Sequence, residues 1–129
     1  MKYKIVIPGS LPSLNELLAA ERATKRGGRG HSPGNDLKQA SEMLIINAIR
    51  KQCPRARPRP PVYIHYAFYE KNRRRDLDNI SGAAHKFIQD ALVKAGILKN
   101  DGWAYIIGFD DKFELDKQRP RIEVVIEEK

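Results

Sequence analysis

A chain of 129 residues, 41% of them hydrophobic, is long enough to bury one core and too short for two. No run approaches the 18 or so apolar residues of a membrane span, and the opening MKYKIVIPG lacks signal-peptide character, so a cytoplasmic protein is expected. A single cysteine, Cys53, excludes an internal disulfide and a multi-cysteine zinc site, and the net charge of +8 is unevenly spread: residues 1 to 75 carry 16 Lys and Arg against 5 Asp and Glu, residues 76 to 129 carry 8 against 11. The basic half suits a phosphate-bearing partner.

Along the chain, Tyr3, Ile5 and Ile7 alternate with Lys2, Lys4 and Val6 as a strand does, until Pro8-Gly9 ends it. LPSLNELLAAERA reads as a proline-bounded turn with at most a short helix. TKRGGRGHSPGN, residues 24 to 35, has four glycines and three basic residues and little to bury, so a flexible basic loop is expected over about residues 22 to 35. Asn35 or Asp36 is placed to cap a helix that runs to about Gln52, with Leu37, Ala40, Met43, Leu44, Ala48 and Ile49 as its apolar stripe. The Pro-rich basic stretch CPRARPRPP stops it.

VYIHYAFY then alternates Val62, Ile64, Tyr66 and Phe68 against Tyr63, His65, Ala67 and Tyr69, a strand buried on at least one face. It leads into RRRDLDN and the clearest helix in the chain. There Ile80, Ala83, Ala84, Phe87, Ile88, Ala91, Leu92 and Ala95 keep the i, i+3, i+4 spacing, with Asp78 or Asn79 as the expected cap and Gly96 placed to end it. WAYIIGF is expected as a strand, DDKFELDKQRP as a turn-rich acidic link, and the alternation of Ile122, Val124 and Ile126 as a final strand. This order predicts one α+β domain over residues 1 to 129: a two-layer sandwich with two main helices on one face of a mixed sheet.

Asp76 and Asp78 stand two apart at a strand-to-helix junction, behind Arg73, Arg74 and Arg75. Two converging carboxylates repel unless a cation offsets them, and Mg²⁺ takes oxygen ligands from one or two carboxylates together with substrate phosphate. An ordinary reading competes: Asp78 as a helix cap and Asp76 as a surface ion-pair partner. A calcium loop is excluded, since Ile80 stands where that pattern needs a polar residue. Asp101, in KNDGW, is a third carboxylate. A helix from Asn79 to Ala95 spans about 25 Å, and the six steps to Asp101 cover at most about 20 Å. Asp101 is therefore either a turn residue or the completing ligand of a site shared with a neighbouring subunit of a homodimer. Lys86 and Asp90, four apart, form an i,i+4 pair in the ordinary reading and supply a cation to phosphate in the functional one. His31, His65 and His85 show no metal-binding spacing; His31 is a loop residue, His65 a strand residue and His85 a solvated helix residue. Cys53 reads as an incidental thiol.

RRRDLDN, a helix carrying Lys-x-x-x-Asp-Ala-Leu, then KAG and a five-residue step to aspartate resemble the RusA-type Holliday junction resolvases, small dimeric Mg²⁺-dependent endonucleases common in prophages. The resemblance is strong over about residues 70 to 105 and one of layout before that. It implies Asp76, Asp78 and Asp101 as catalytic metal-binding carboxylates, Lys86 as the catalytic lysine and Arg75 as a contact to DNA. Asp78 and Asp90 lie a helical turn further apart than in the best-known member, so Gly82 stands where a count from the first aspartates would put the lysine. With the charge pattern, the implied activity is paired nicking of four-way junctions in DNA recombination and repair, with Mg²⁺ replaceable by Mn²⁺ and no small-molecule cofactor or membrane. Phosphate contacts would come from Lys25, Arg26 and Arg29, from Arg55, Arg57 and Arg59, and from Arg73, Arg74 and Arg75. The alternatives are a non-catalytic DNA-binding or phage regulatory module of the same fold, or a less specific nuclease of flaps and branched DNA.

Overall fold

The computed structural model describes residues 1 to 26 and 32 to 129, with only the backbone described for residues 24 to 26. Its elements are β1 (Lys2–Pro8), α1 (Leu14–Arg26), α2 (Pro33–Gln52), β2 (Val62–Glu70), α3 (Leu77–Lys94), β3 (Ile106–Leu115) and β4 (Arg121–Glu128). The strands form one four-stranded sheet in the order β1-β4-β2-β3. β4 pairs antiparallel with both β1 and β2, and β2 pairs parallel with β3, so the sheet is mixed and the fold is α+β as expected.

Alternation sorts the strand residues. Ile5, Ile7, Ile64, Tyr66, Phe68, Ile122, Val124 and Ile126 are buried beneath the helices, while Lys4, His65 and Glu123 lie on the other face. α3 buries Ile80, Ala83, Ala84, Phe87, Ile88, Ala91 and Leu92, the stripe that its spacing predicts. Gly96 ends it in the left-handed region (φ 78°): its N–H donates to the Val93 carbonyl at 3.0 Å and Ile97 N–H donates to Leu92 at 2.9 Å. This is a Schellman cap, closed by the buried pair Ile97 and Leu92.

The structure differs from the sequence expectations at several elements. Among the described residues there are three helices, because LPSLNELLAAERA begins a full helix: Ser13 Oγ accepts from Glu16 N–H at 3.1 Å while the Glu16 carboxylate accepts from Ser13 N–H at 3.4 Å. That S-x-x-E capping box satisfies two orphan donors reciprocally. The expected loop over residues 22 to 35 is accordingly shorter, since α1 runs through Arg26 and α2 starts at Pro33 after Ser32, with proline at its first position. Lys25 and Arg26 lie on the backbone of α1, their side chains outside the description; Arg29 and His31 lie outside the described residues.

On α2 the buried residues are Gly34, Ser41, Glu42, Ile45, Ala48 and Ile49, whereas Met43 and Leu44 are exposed, so the stripe sits partly off the predicted one. Glu42 can be buried because Lys94 of α3 bonds its carboxylate. α3 begins at Leu77 with Asp76 as its N-cap, not Asp78 or Asn79. WAYIIGF is only half strand. β3 starts at Ile106 and continues through the acidic stretch to Leu115, because pairing with β2 gives Asp110, Asp111 and Glu114 a ladder that their own propensity does not. Among the described residues, no helix is long and apolar enough to cross a membrane.

Candidate active site

The unit β2-α3-β3 decides where the acidic residues fall. β2, nine residues long, spans about 26 Å, and α3, eighteen residues long, returns over about 27 Å. Asp76 and Asp78 follow the end of β2. Asp101 precedes β3, whose Ile106 pairs with Val62 at the start of β2. The two aspartates and Asp101 therefore stand at opposite ends of the same sheet, and among the described residues no group of three or more His, Cys, Asp or Glu can hold a metal ion.

At the first end, Asp76 caps α3 through its backbone only: Ile80 N–H donates to its carbonyl at 3.1 Å, and its carboxylate makes no capping bond. Asp78 lies in the first turn. Both carboxylates are exposed, and among the described residues neither pairs with a basic side chain. Asp76 lines a cavity of about 550 Å³ with Asn72, Arg73, Leu77 and Leu115, beside the N-terminal turn of α3, whose unpaired N–H groups favour negative charge. Oxygen donors on a free carboxylate, next to an arginine and a helix start, suit Mg²⁺ with a bound phosphate, although two aspartates are fewer ligands than a closed metal site needs.

The three arginines divide. Arg73 and Arg74 are exposed, Arg73 on this cavity and Arg74 on a neighbouring one. Arg75 instead forks onto Glu70, donating from Nε at 3.0 Å and Nη2 at 3.1 Å, and gives Nη1 to the Leu11 carbonyl at 2.9 Å. One residue before Asp76, it ties the end of β2 to the segment that leads into α1. Glu70 was missed in the sequence, yet the alternation of VYIHYAFYE puts it on the buried face with Phe68, where a carboxylate requires a cation within reach. Asn79 adds a further tie, accepting from Asn15 N–H at 3.3 Å.

Lys86 lies elsewhere, on a cavity between the helices with Leu17, Glu21 and Lys38. Its ammonium sits 3.6 Å from Asp90, whose same oxygen is 3.6 Å from Lys38. One turn earlier, Gly82 is exposed but lies against α1: a Cβ there would stand 3.2 Å from the Leu14 side chain, which would have to give by a few tenths of an ångström to admit a larger residue.

At the second end, Asp101 is exposed on the turn after α3, next to Trp103, which is 92% exposed. Arg55, Arg57 and Arg59 are exposed along the link from α2 to β2, and Arg57 shares a cavity with Gly96, Lys99 and Tyr105 of the same end. His85 is not solvated as expected: its ring packs 4.7 Å from Tyr66 and 4.5 Å from Phe109, and Nε2 donates to Asp111 at 2.7 Å. On the outer sheet face His65 joins two strands, bonding Asp110 at 2.7 Å and Glu127 at 2.8 Å, and the Glu127 bond above all raises its pKa. Burial raises the Cys53 thiol's pKa, and Sγ lies 3.4 Å from the Lys4 carbonyl, in keeping with a structural thiol.

An α+β chain with a free carboxylate, an exposed arginine and a helix start on one cleft, and a second free carboxylate in the same helix turn, has groups that suit a phosphate. Its sequence matches the family model described as endodeoxyribonuclease RusA over residues 21 to 127, and the chain belongs to that family, a family of DNA endonucleases. No curated protein matches it.

Proposed function

We propose that this chain is a homodimeric, Mg²⁺-dependent nuclease that resolves four-way DNA junctions by paired nicks, each active site being built from Asp76 and Asp78 of one copy and Asp101 of the other. The observation that carries this reading is the separation of the carboxylates to opposite ends of the β2-α3-β3 unit within a chain that matches the resolvase family. A monomer offers two incomplete halves; a two-fold dimer offers two whole sites, which suits paired nicking of opposed strands.

When bound, Mg²⁺ (or Mn²⁺) would supply an activated water and neutralise charge on the reacting phosphate. The chain's own part is to present Asp76 and Asp78 unpaired, to hold the strand-to-helix turn rigid through Arg75 and Glu70, and to bring Arg73 and Arg74 to the DNA backbone. The geometry favours these two arginines over Lys86 as the cations nearest the reacting phosphate, because Lys86 faces the cavity between the helices. Arg55, Arg57 and Arg59 extend the phosphate-binding surface beside Asp101.

The test is nicking of a synthetic four-way junction with Mg²⁺ by wild type, Asp76→Asn and Asp101→Asn, alone and mixed. Each variant alone is expected to bind and not cut, while an equal mixture recovers about a quarter of wild-type sites through heterodimers with one intact centre. Recovery fails if each copy builds its own site. A wild type that binds junctions but cuts under no divalent metal would establish the non-catalytic module instead, and equal cutting of flaps and linear duplex would establish the less specific nuclease.

A further inference from the structure

The two edges of the sheet are finished differently. On β1 the Gln52 side chain takes Val6 as a neighbouring strand would: its Oε1 accepts from Val6 N–H at 2.7 Å and its Nε2 donates to the Val6 carbonyl at 2.8 Å. Pro8, Lys2 and Lys4 blunt the rest of that edge. β3 is ten residues long, and among the described residues its outer side is bonded only at its first residue, where Ile106 N–H donates to the Gly102 carbonyl at 3.0 Å. It is also apolar where an edge should not be, with Ile107 50%, Phe109 46% and Leu115 50% exposed.

We infer that β3 pairs antiparallel with β3 of a second copy, about a two-fold axis through Asp111; this rests on the shared-site reading above. Three observations choose the occupant and the register. The side chains of Phe109, Asp111 and Phe113 share the α3 face, as their contacts with His85, Tyr66 and Phe68 show. An axis at Asp111 sets Ile107 against Leu115 and Phe109 against Phe113 of the second copy, twice over by symmetry, and Asp110 against Lys112 on the opposite face. Shifting by one pair either way sets Phe109 against Asp111, or Asp110 against Glu114. Asp111 meets its own mate in the inferred register, and there each carboxylate already accepts a bond from His85 at 2.7 Å.

The axis lies near the middle of β3, since Asp111 pairs with Tyr66 at the middle of β2. It therefore carries the Asp101 end of one copy to the sheet end where the other copy holds Asp76 and Asp78. Trp103 of one copy arrives where Leu77 and Leu115 of the other stand exposed.

The test is charge exchange across the axis, read by sedimentation equilibrium with circular dichroism as the check on folding. Asp110→Lys alone sets lysine against lysine, and Lys112→Asp alone sets aspartate against aspartate. Each is expected to raise the dimer dissociation constant about tenfold or more, and an equal mixture to restore a dimer of one copy of each. If each variant alone dimerises as the wild type does, or if the mixture rescues nothing, β3 pairing is overturned while the shared-site reading stands through complementation of Asp76→Asn by Asp101→Asn. A monomeric wild type overturns both.

Discussion

The edges β1 and β3 pose the same physical problem, a row of unpaired backbone groups, and they answer it in opposite ways. At β1 a glutamine amide from the end of α2 imitates a strand and closes the row from within the chain. At β3 no side chain does so among the described residues, and exposed Ile107, Phe109 and Leu115 remain. The inferred second copy would close that edge, and the same copy would bring together the carboxylates at the two ends of the adjoining β2-α3-β3 unit.

The open edge is tested hardest by Phe109→Glu. Placing a carboxylate among the facing aromatics and beside Asp111 is expected to weaken self-association about 100-fold with secondary structure intact, measured by sedimentation equilibrium. Next in size is Arg75→Ala, where β2 leaves the sheet. It strands the mostly buried Glu70 carboxylate and is expected to cost about 2 to 3 kcal/mol in urea unfolding, most of which Arg75→Lys fails to restore because an ammonium cannot fork. On the closed edge, Gln52→Ala is expected to cost about 1 kcal/mol of folding stability and to leave the dimer dissociation constant unchanged. A fall in association for Gln52→Ala as large as that for Phe109→Glu would erase the distinction between the edges.

The smallest effect is electrostatic. His65 ties β3 to β4, and its pKa is raised from 6.5, first by its bond to Glu127, so its contribution is whole below about pH 6.5 and is lost as pH rises through the raised value. The Glu127 pKa is lowered, first by His65, so that side of the pair is lost at acid pH as Glu127 protonates. The melting-temperature gap between wild type and His65→Gln is thus expected to be widest at mildly acid pH and to close in both directions.

Much of this molecule was legible where burial and periodicity agree. The α3 stripe, its Gly96 stop, and strands β1, β2 and β4 follow from apolar spacing alone. β3 was half hidden, because Asp110, Asp111 and Glu114 are poor strand formers and only pairing with β2 makes them one. α1 was signalled by Ser13 and Glu16, a capping box masked by the prolines before it. Within the candidate site, the aspartates were readable as a motif, and the reach of the chain already left Asp101 barely able to return to them in one copy, and so either a turn residue or a ligand shared with a neighbour. The division of labour among Arg73, Arg74 and Arg75 was not readable, because it depends on Glu70, a partner defined only once the strand's inward face is known. The position of Lys86 likewise required knowing how α1 crosses α3.

Asp76 begins α3 with a side chain well suited to capping that makes no capping bond. Asparagine or serine would start the same helix equally well. On the proposed function, loss of the Asp76 carboxylate should therefore leave no mark on folding, abundance or assembly of the proposed dimer. An inactive copy would persist in a mixed population and enter dimers with active ones, a poison visible only when the DNA is examined for cuts.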